Sequence, residues 1–430
     1  METNNLFTKH QYGFRKGYSC ATQLIGVIDE WTRLLDNRDE IDVIYLDFQK
    51  AFDTVPHARL LNKLYAYGIR GKVHAWLKEY LNQRKQRVIL NGEKSGWAEV
   101  TSGIPQGTVL GPILFLIYIN DLPEVVTNAV KLFADDTKLY GKSNNNQDHS
   151  SLQQDICNLL DWSDRWQLKF NPQKCKHMHL GGLSLPDAYM MGDVRIEPTT
   201  VEKDLGIQID NKLKFIEHIH LSVKTANQRL GIIRRNFHYL DKESFTTLYK
   251  SIVRPHLEYA SSAWSTVNKR EAALIENTQR RATKLIKDIS HLPYTQRMKI
   301  LGIPSLEYRR IRCDMIQVFK YVKGIDVVDE NLLTPSENTR TRGNKYKLAK
   351  PHCRLNIRKF SFVPRIVNVW NSLPDHVVDS PNINIFKSRL NTHWKDQNIK
   401  FNPSCIVPNA PHQRLSNNTR EDLEGRQAIG

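Results

Sequence analysis

Asp135 and Asp136 stand side by side between two apolar runs, Val130, Leu132 and Ala134 before them and Leu139 and Tyr140 after them. The alternation predicts a strand, a tight turn and a second strand, with both carboxylates at the turn. Adjacent anions repel, so a fold that holds them together gains from a cation shared between them. Hard oxygen ligands of this kind suit magnesium or manganese. A solvated turn offers the same pair, so its meaning rests on what else the chain carries.

The chain has 430 residues, 40% of them hydrophobic, with 18 prolines, enough to bury a sizeable core in two or three domains. Its formal charge is +17, and the excess is one-sided. Residues 1–200 hold 23 Lys and Arg against 23 Asp and Glu, whereas residues 201–400 hold 36 against 19. A neutral front half and a cationic rear half point to a catalytic part joined to a part that grips polyanions. Cys20, Cys157, Cys175, Cys313, Cys353 and Cys405 lack paired spacing, which argues against a disulfide framework or a zinc knuckle. No apolar run approaches the roughly 20 residues of a membrane span, and the first residues lack a signal-peptide core. The expectation is an intracellular protein, nuclear or cytoplasmic, with no membrane partner.

Along the chain, residues 20–37 carry apolar positions at helical spacing, and 41–48 reads as a strand buried on both faces and closed by Asp47. Helices are expected at 56–67 and 71–82, then a hairpin in which Arg87–Leu90 and Trp97–Thr101 flank Asn91-Gly92. The breaker-rich Gly103-Ile104-Pro105-Gln106-Gly107 opens an apolar helix from Val109 to Tyr118. An amphipathic helix with Leu152, Ile156, Leu159 and Leu160 comes next. Strands are expected at 167–171, 176–180 and 205–209, and basic helices from 215 to 325. Residues 334–350 read as a charged linker and 401–430 as a disordered tail. Trp264, Trp370 and Trp394 are expected in the core.

A sheet that sets the Asp135-Asp136 hairpin beside the strand ending at Asp47 brings three carboxylates to one rim, a set able to hold two divalent ions. Two such ions lower the pKa of an attacking hydroxyl and neutralise a leaving pyrophosphate, which is what in-line nucleotidyl transfer requires.

Three stretches in order carry a resemblance to a known family. Tyr45-Leu46-Asp47-Phe48-Gln49-Lys50-Ala51-Phe52-Asp53-Thr54-Val55, Gly103-Ile104-Pro105-Gln106-Gly107-Thr108-Val109-Leu110-Gly111-Pro112 and Phe133-Ala134-Asp135-Asp136 resemble motifs A, B and C of reverse transcriptases. With Leu257-Glu258-Tyr259-Ala260-Ser261-Ser262-Ala263-Trp264 they resemble the jockey-like, non-LTR (LINE-type) retrotransposon enzymes, over about residues 12–325. The resemblance implies an α+β fold, a right-hand polymerase palm with partial fingers, a helical thumb and a helical C-terminal extension. It divides the chain into partial fingers at 1–40, palm with finger insertions at 41–212, thumb at 213–325, extension at 326–400 and tail at 401–430.

The same resemblance implies site residues. Asp47 and Asp135 would ligate two Mg2+ ions (Mn2+ possible), helped by the Phe48 carbonyl, with Asp136 as support or further ligand. Phe52 would be the gate that collides with a ribose 2′-hydroxyl. Gln106 and Gly107 would meet template or nucleotide phosphate. Leu168–Lys174 resembles motif D, making Lys174 the acid for the departing pyrophosphate. Leu205–Asp210 resembles motif E, where Gly206 would let backbone approach backbone. Gln11–Gly17 resembles a finger motif, in which Arg15 or Lys16 would contact a triphosphate. Arg229, Arg234, Arg235, Arg280, Arg281, Lys284 and Lys287 would track a heteroduplex. The implied activity is RNA-directed DNA polymerisation, with an RNA template, a DNA primer and dNTPs as partners. Family members carry an endonuclease and longer fingers upstream, so the expectation is an N-terminally truncated copy. The alternative is a catalytically inactive remnant that keeps nucleic-acid binding, and a metal-dependent nuclease is the less favoured third reading.

Overall fold

A computed structural model describes residues 4, 6–182, 188–264, 269–327, 332–337 and 344–404. The chain divides into two units, one of residues 1–23 and 37–202, the other of residues 24–36 and 203–430. Helix α1 (Cys20–Asp36) begins in the first and continues in the second.

The first unit is organised on strand β1 (Ile41–Leu46), whose near-continuous burial matches the apolar run that predicts it. After β1 come α2 (Ala51–Thr54), α3 (His57–Ala66) and α4 (Gly71–Leu81). The predicted hairpin splits into two short pairings. Ile89–Leu90 pairs with Glu93–Lys94 around Asn91-Gly92, both at positive φ, and Lys85–Gln86 pairs with Ala98–Glu99. Ser95 interrupts the ladder, its hydroxyl accepting from the Val88 N–H. Helix α5 (Leu110–Ile119) is apolar on all sides and buried, as its composition requires.

Strands β2 (Ala129–Phe133) and β3 (Asp136–Lys142) form the hairpin whose turn is Ala134-Asp135. Helix α6 (Asn146–Trp166) comes next, its N-terminus capped by the Asn145 side chain, which accepts from the Asp148 N–H. Strands β4 (Lys176–Leu180) and β5 (Glu197–Pro198) complete a five-stranded sheet in the order β5-β4-β1-β3-β2, antiparallel except for β5 against β4. One sheet face, with Ile44, Leu46, Val130, Leu132 and Leu139, packs on Leu114, Phe115 and Tyr118 of α5 and Leu152, Ile156 and Leu159 of α6. The strand expected at 167–171 is reduced to a single bridge, Phe170 against Phe48.

Two buried polar groups lock this layer. The Asp42 carboxylate, fully buried on β1, accepts from the Ser143 hydroxyl at 2.6 Å and the Tyr189 hydroxyl at 2.7 Å. His177 Nε2 and His179 Nδ1 of β4 approach it at 2.9 and 2.8 Å. Burial alone would raise this carboxyl, but the histidine and serine partners together hold it well below the usual carboxylate range. Lys63 of α3, only 5% exposed, donates to the Tyr118 carbonyl at the end of α5 and to Asp121 at 2.6 Å, and lies 3.7 Å from the centre of the Trp166 ring.

The second unit begins with β6 (Val201–Asp204) and β7 (Ile207–Asp210), the boundary falling inside β6. Leu205 and Gly206, expected within a strand, form the turn between them with φ of 46° and 86°. Two adjacent left-handed residues close a two-residue hairpin, which periodicity alone does not reveal. The helices of this unit are α7 (Ile216–Asn236), α8 (Lys242–Leu248), α9 (Arg254–Glu258), α10 (Lys269–Ala282), α11 (Tyr294–Leu301) and α12 (Leu306–Val322). Beyond them lie α13 (Asn356–Lys359), α14 (Phe362–Asn371), α15 (Asp375–Val378) and α16 (Ile383–His393).

Of the expected linker at 334–350, residues 338–343 lie outside the described residues, and the described ends are docked instead. Its ends pair through Ser336 N–H to Lys347 O and Ala349 N–H to Thr334 O. Asn344 is buried and donates to the Trp370 and Leu373 carbonyls, an anchoring that composition does not show. Arg358 of α13 meets Asp29 of α1, and Asp36 accepts from the Arg354 and Leu355 N–H groups. Trp264, Trp370 and Trp394 are core residues, as expected. Of the tail expected at 401–430, residues 405–430 lie outside the described residues, Cys405 among them. The five described cysteines are free, and no described helix is long and apolar enough to cross a membrane.

The Lys63 pair yields a stability prediction. Asp121→Ala leaves a buried ammonium without its counter-charge and should cost about 3 kcal/mol in urea unfolding at neutral pH. Burial pushes the Lys63 pKa down to about 8, with Asp121 opposing the shift. Without Asp121 the folded pKa of Lys63 falls further below 8, so the variant sheds its buried charge at lower pH than the wild type. The deficit should therefore shrink as pH rises toward about 8 and level off above it.

Candidate active site

Strand register decides which acids meet. Leu46 of β1 pairs with Thr137 of β3, and Phe133 of β2 pairs with Asp136, so the Ala134-Asp135 turn comes out at the edge where the chain leaves β1 through Asp47. Asp135 is half-buried, and burial raises its carboxyl above the usual range, the Asp47 charge acting in the same direction. The Oδ2 of Asp47 is closed to solvent and receives no hydrogen bond. The Lys174 ammonium, itself 68% exposed, lies 3.3 Å from that oxygen.

Lys174 reaches Asp47 because its own segment is stitched to the residues after β1. Gln49 N–H donates to Lys169 O, Asn171 N–H donates to Asp47 O, and the Phe48 and Phe170 rings stack at 4.3 Å. The sequence thus places Asp47, Asp135 and Lys174 correctly at one edge. Asp136, which the sequence places with them, does not join the pair as a third ligand. Among the described residues, no group of three or more histidine, cysteine, aspartate or glutamate side chains is arranged to hold a metal ion. Asp136 is the first residue of β3 and exposed. The expected three-carboxylate rim reduces to the pair Asp47 and Asp135. That pair fits a divalent cation: two neighbouring carboxylates, one with an oxygen that accepts no hydrogen bond and faces only the exposed Lys174 ammonium, are hard oxygen ligands.

The Gly103–Gly107 turn is tied to the segment after β1. Ile104 N–H donates to Phe52 O at 2.7 Å, Gly103 N–H to Val55 O at 2.8 Å, and the Ser102 hydroxyl to Asp53 O. Gly103 sits at φ 90°, and a Cβ there would lie 2.7 Å from the Asp53 carbonyl oxygen. Gln106, expected at phosphate, donates to Asp53 Oδ1 at 2.9 Å. Gly107, at φ 79°, has open space where a Cβ would go. Phe52 stacks on Phe115 of α5 at 4.4 Å, which fixes its ring against the core.

Arg15, expected at a triphosphate, is turned inward. It donates to the Thr8 and Gln11 carbonyls and lies 4.4 Å from the Tyr18 ring centre, while the next residue, Lys16, is exposed. In the second unit, Gly206 is as tightly packed as expected: a Cβ there would stand 3.1 Å from the Tyr259 ring, whose hydroxyl donates to Leu205 O. The basic residues Arg229, Arg234, Arg235, Arg280, Arg281, Lys284 and Lys287 are all exposed. Sequence reasoning missed Gln11, whose carboxamide meets the Ala134 backbone, and Asp53, the partner of Gln106. The nearest sequence signal for Gln11 was its place two residues before Gly13 in the expected finger motif.

Residues 1–240 match the family model described as reverse transcriptase (RNA-dependent DNA polymerase). This chain belongs to the reverse transcriptase family. Relatives include the probable RNA-directed DNA polymerase from transposon BS of Drosophila melanogaster, 30% identical over 67% of this chain and 33% of its own length. The RNA-directed DNA polymerase from mobile element jockey of the same fly is 28% identical over 68% of this chain and 33% of its own length. The chain thus spans about a third of the length of these curated relatives. A telomerase from Candida albicans, solved with a fragment of telomeric RNA, is similar at a TM-score of 0.37 and 9% identity, over 63% of this chain and 51% of that one. Reverse transcriptases generally use divalent metal ions.

The two glycines of this reverse transcriptase turn should respond differently. Gly107→Ala should cost about 1 kcal/mol, the penalty of a left-handed alanine in open space. Gly103→Ala carries the same penalty and a collision with fixed backbone, so its loss in urea unfolding should be at least twice as large.

Proposed function

We propose that the chain is the RNA-directed DNA polymerase of a non-LTR retrotransposon, transferring deoxynucleotides from dNTPs to a primer 3′-hydroxyl on an RNA template. The observation that carries this reading is the meeting of Asp47, Asp135 and Lys174 at one sheet edge, in a chain whose first 240 residues match the family. In this reading residues 41–212 are the palm with finger insertions, 1–40 partial fingers, 213–325 the thumb and 326–400 the C-terminal extension.

The reaction joins the primer 3′-oxygen to the α-phosphorus and releases pyrophosphate, with the hydroxyl proton lost and a proton gained by the leaving group. Mg2+, or Mn2+, held by Asp47, Asp135 and the Phe48 carbonyl, would make the hydroxyl more acidic and neutralise the pyrophosphate. Asp136, outside that set, adds negative potential from the exposed side of the turn. Lys174 balances Asp47 in the free chain. Its exposed ammonium, at the same edge, would donate a proton to the departing pyrophosphate.

Phe52, fixed by Phe115, presents a rigid wall to the sugar, and rigidity is what exclusion of a 2′-hydroxyl needs. Gln106 acts through Asp53 by fixing the turn, while Gly107, with no side chain in the way, offers its N–H to a phosphate. Arg15 braces the N-terminal loop, which leaves Lys16 as the triphosphate contact of that motif. The exposed basic residues of the second unit give the phosphate-tracking surface, and they alone would sustain the second reading, a nucleic-acid binder without turnover.

Primer extension on an RNA template with Mg2+ and dNTPs tests the proposal. The Asp135→Ala, Asp136→Ala variant should lose at least about 100-fold in rate. Equal extension by both proteins would reject the site. Salt-sensitive RNA binding with no incorporation by either would select the non-catalytic reading. Phe52→Val should raise the use of ribonucleotides relative to dNTPs by about 10–200-fold, measured as the ratio of kcat/KM values.

A further inference from the structure

The turn that carries Asp135 has a conformational problem of its own. In the two-residue connection between Phe133 and Asp136, Ala134 has φ 55°, a value that costs a residue with a Cβ and that tight hairpins usually give to glycine. Something outside the turn must hold Ala134 there.

Gln11 is that group. Its side chain is 1% exposed and wraps the Ala134 peptide from both sides. Oε1 accepts from the Ala134 N–H at 2.9 Å and from the Gly13 N–H at 2.7 Å, while Nε2 donates to the Ala134 carbonyl at 3.3 Å. Two N–H donors on one carboxamide atom and a carbonyl on the other fix its orientation, and no carboxylate or aliphatic side chain satisfies all three. The segment is in turn pinned to β2: Tyr12 N–H donates to Leu132 O at 2.8 Å, and Leu132 N–H donates to His10 O at 2.9 Å. Gly13 passes so close that a Cβ there would lie 2.4 Å from the Ala134 nitrogen.

We infer that Gln11 is a positioning residue for nucleotidyl transfer: its carboxamide holds Ala134 left-handed and so aims the Asp135 carboxylate at the cation site shared with Asp47. The inference rests on the polymerase reading proposed for this chain. Gln11 touches neither substrate nor metal, and it acts only through the direction in which the turn delivers Asp135. Loss of the clamp lets the turn relax, and a displacement of about 1 Å at a reacting centre costs on the order of 100-fold in rate.

The test is a double-mutant cycle in the full chain, comparing Q11L with wild type, and Q11L/A134G with A134G. Primer extension gives kcat and the half-saturating Mg2+ concentration, and fluorescence anisotropy gives the Kd for the RNA-DNA template-primer. Q11L should lower kcat by about 100-fold, raise the Mg2+ requirement and leave template-primer Kd within about twofold. Glycine adopts positive φ unaided, so in the A134G background the same change should cost less than about 10-fold. Q11E keeps the acceptor for both N–H groups and should fall between wild type and Q11L, which gives a second reading should Q11L fail to fold. Unchanged kcat and Mg2+ dependence, an equal loss in both backgrounds, or a loss expressed only in template-primer affinity would each overturn the assignment. D135A separates this from the larger claim. If D135A is inactive while Q11L is normal, only the clamp falls; if D135A retains full activity, the Asp47–Asp135 site falls and the clamp with it; if the wild-type chain extends no primer, the polymerase reading itself falls.

Discussion

The first unit is built around a conflict of charge. The register of β1 against the β2-β3 hairpin brings Asp135 to the edge where Asp47 leaves the sheet, and partial burial of Asp135 adds to the cost of their repulsion. Such a juxtaposition lowers stability unless a cation shares it, and the cation that the chain itself sets beside Asp47 is the exposed Lys174 ammonium. In the proposed polymerase reading, a bound cation would share this charge, one way in which function departs from what packing alone would select.

Holding that conflict in place takes a rigid surround. The Asp42 cluster fixes β1 against β4, the strand just after the Lys174 loop, so that cluster and active edge share one backbone. On the other side of the site, Lys63 ties α3 to the end of α5, and α5 carries Phe115, the ring against which Phe52 lies. The Gly103–Gly107 turn is held to the segment between Phe52 and Val55 by backbone hydrogen bonds, which a side-chain substitution cannot easily replace. The Asp42 and Lys63 supports are buried charges met by several polar partners, the condition under which such groups add specificity.

The second unit solves a different problem. Its helices carry the basic excess on exposed faces, while its interior is tied by ion pairs such as Arg365 with Asp314 and Arg309 with Glu258. The Leu257–Trp264 stretch supplies three of its structural elements. Glu258 pairs with Arg309, Tyr259 caps the β6-β7 turn over Gly206, and Trp264 fills the core. A wording that looks like a family signature is here mostly architecture.

The sequence by itself determined the features that local periodicity and turn chemistry encode: β1 and its double burial, α3 to α6, and the Asp135 hairpin; it also singled out Asp47, Asp135 and Lys174, which the fold gathers at one edge. These were legible because each depends on neighbours within a few residues or on an ordered motif. Tertiary structure alone decided which groups those residues meet. Asp136 was adjacent in sequence, yet it is the exposed first residue of β3 and no third acid is arranged with the pair among the described residues. Arg15 and Gln106 looked like phosphate ligands and became braces, because the nearest acceptors are Thr8, Gln11 and Asp53. The Gln11 contact with Ala134 spans 123 residues. No local pattern encodes such a pairing, since hydrogen bonds to backbone carry no complementary residue type for the sequence to display.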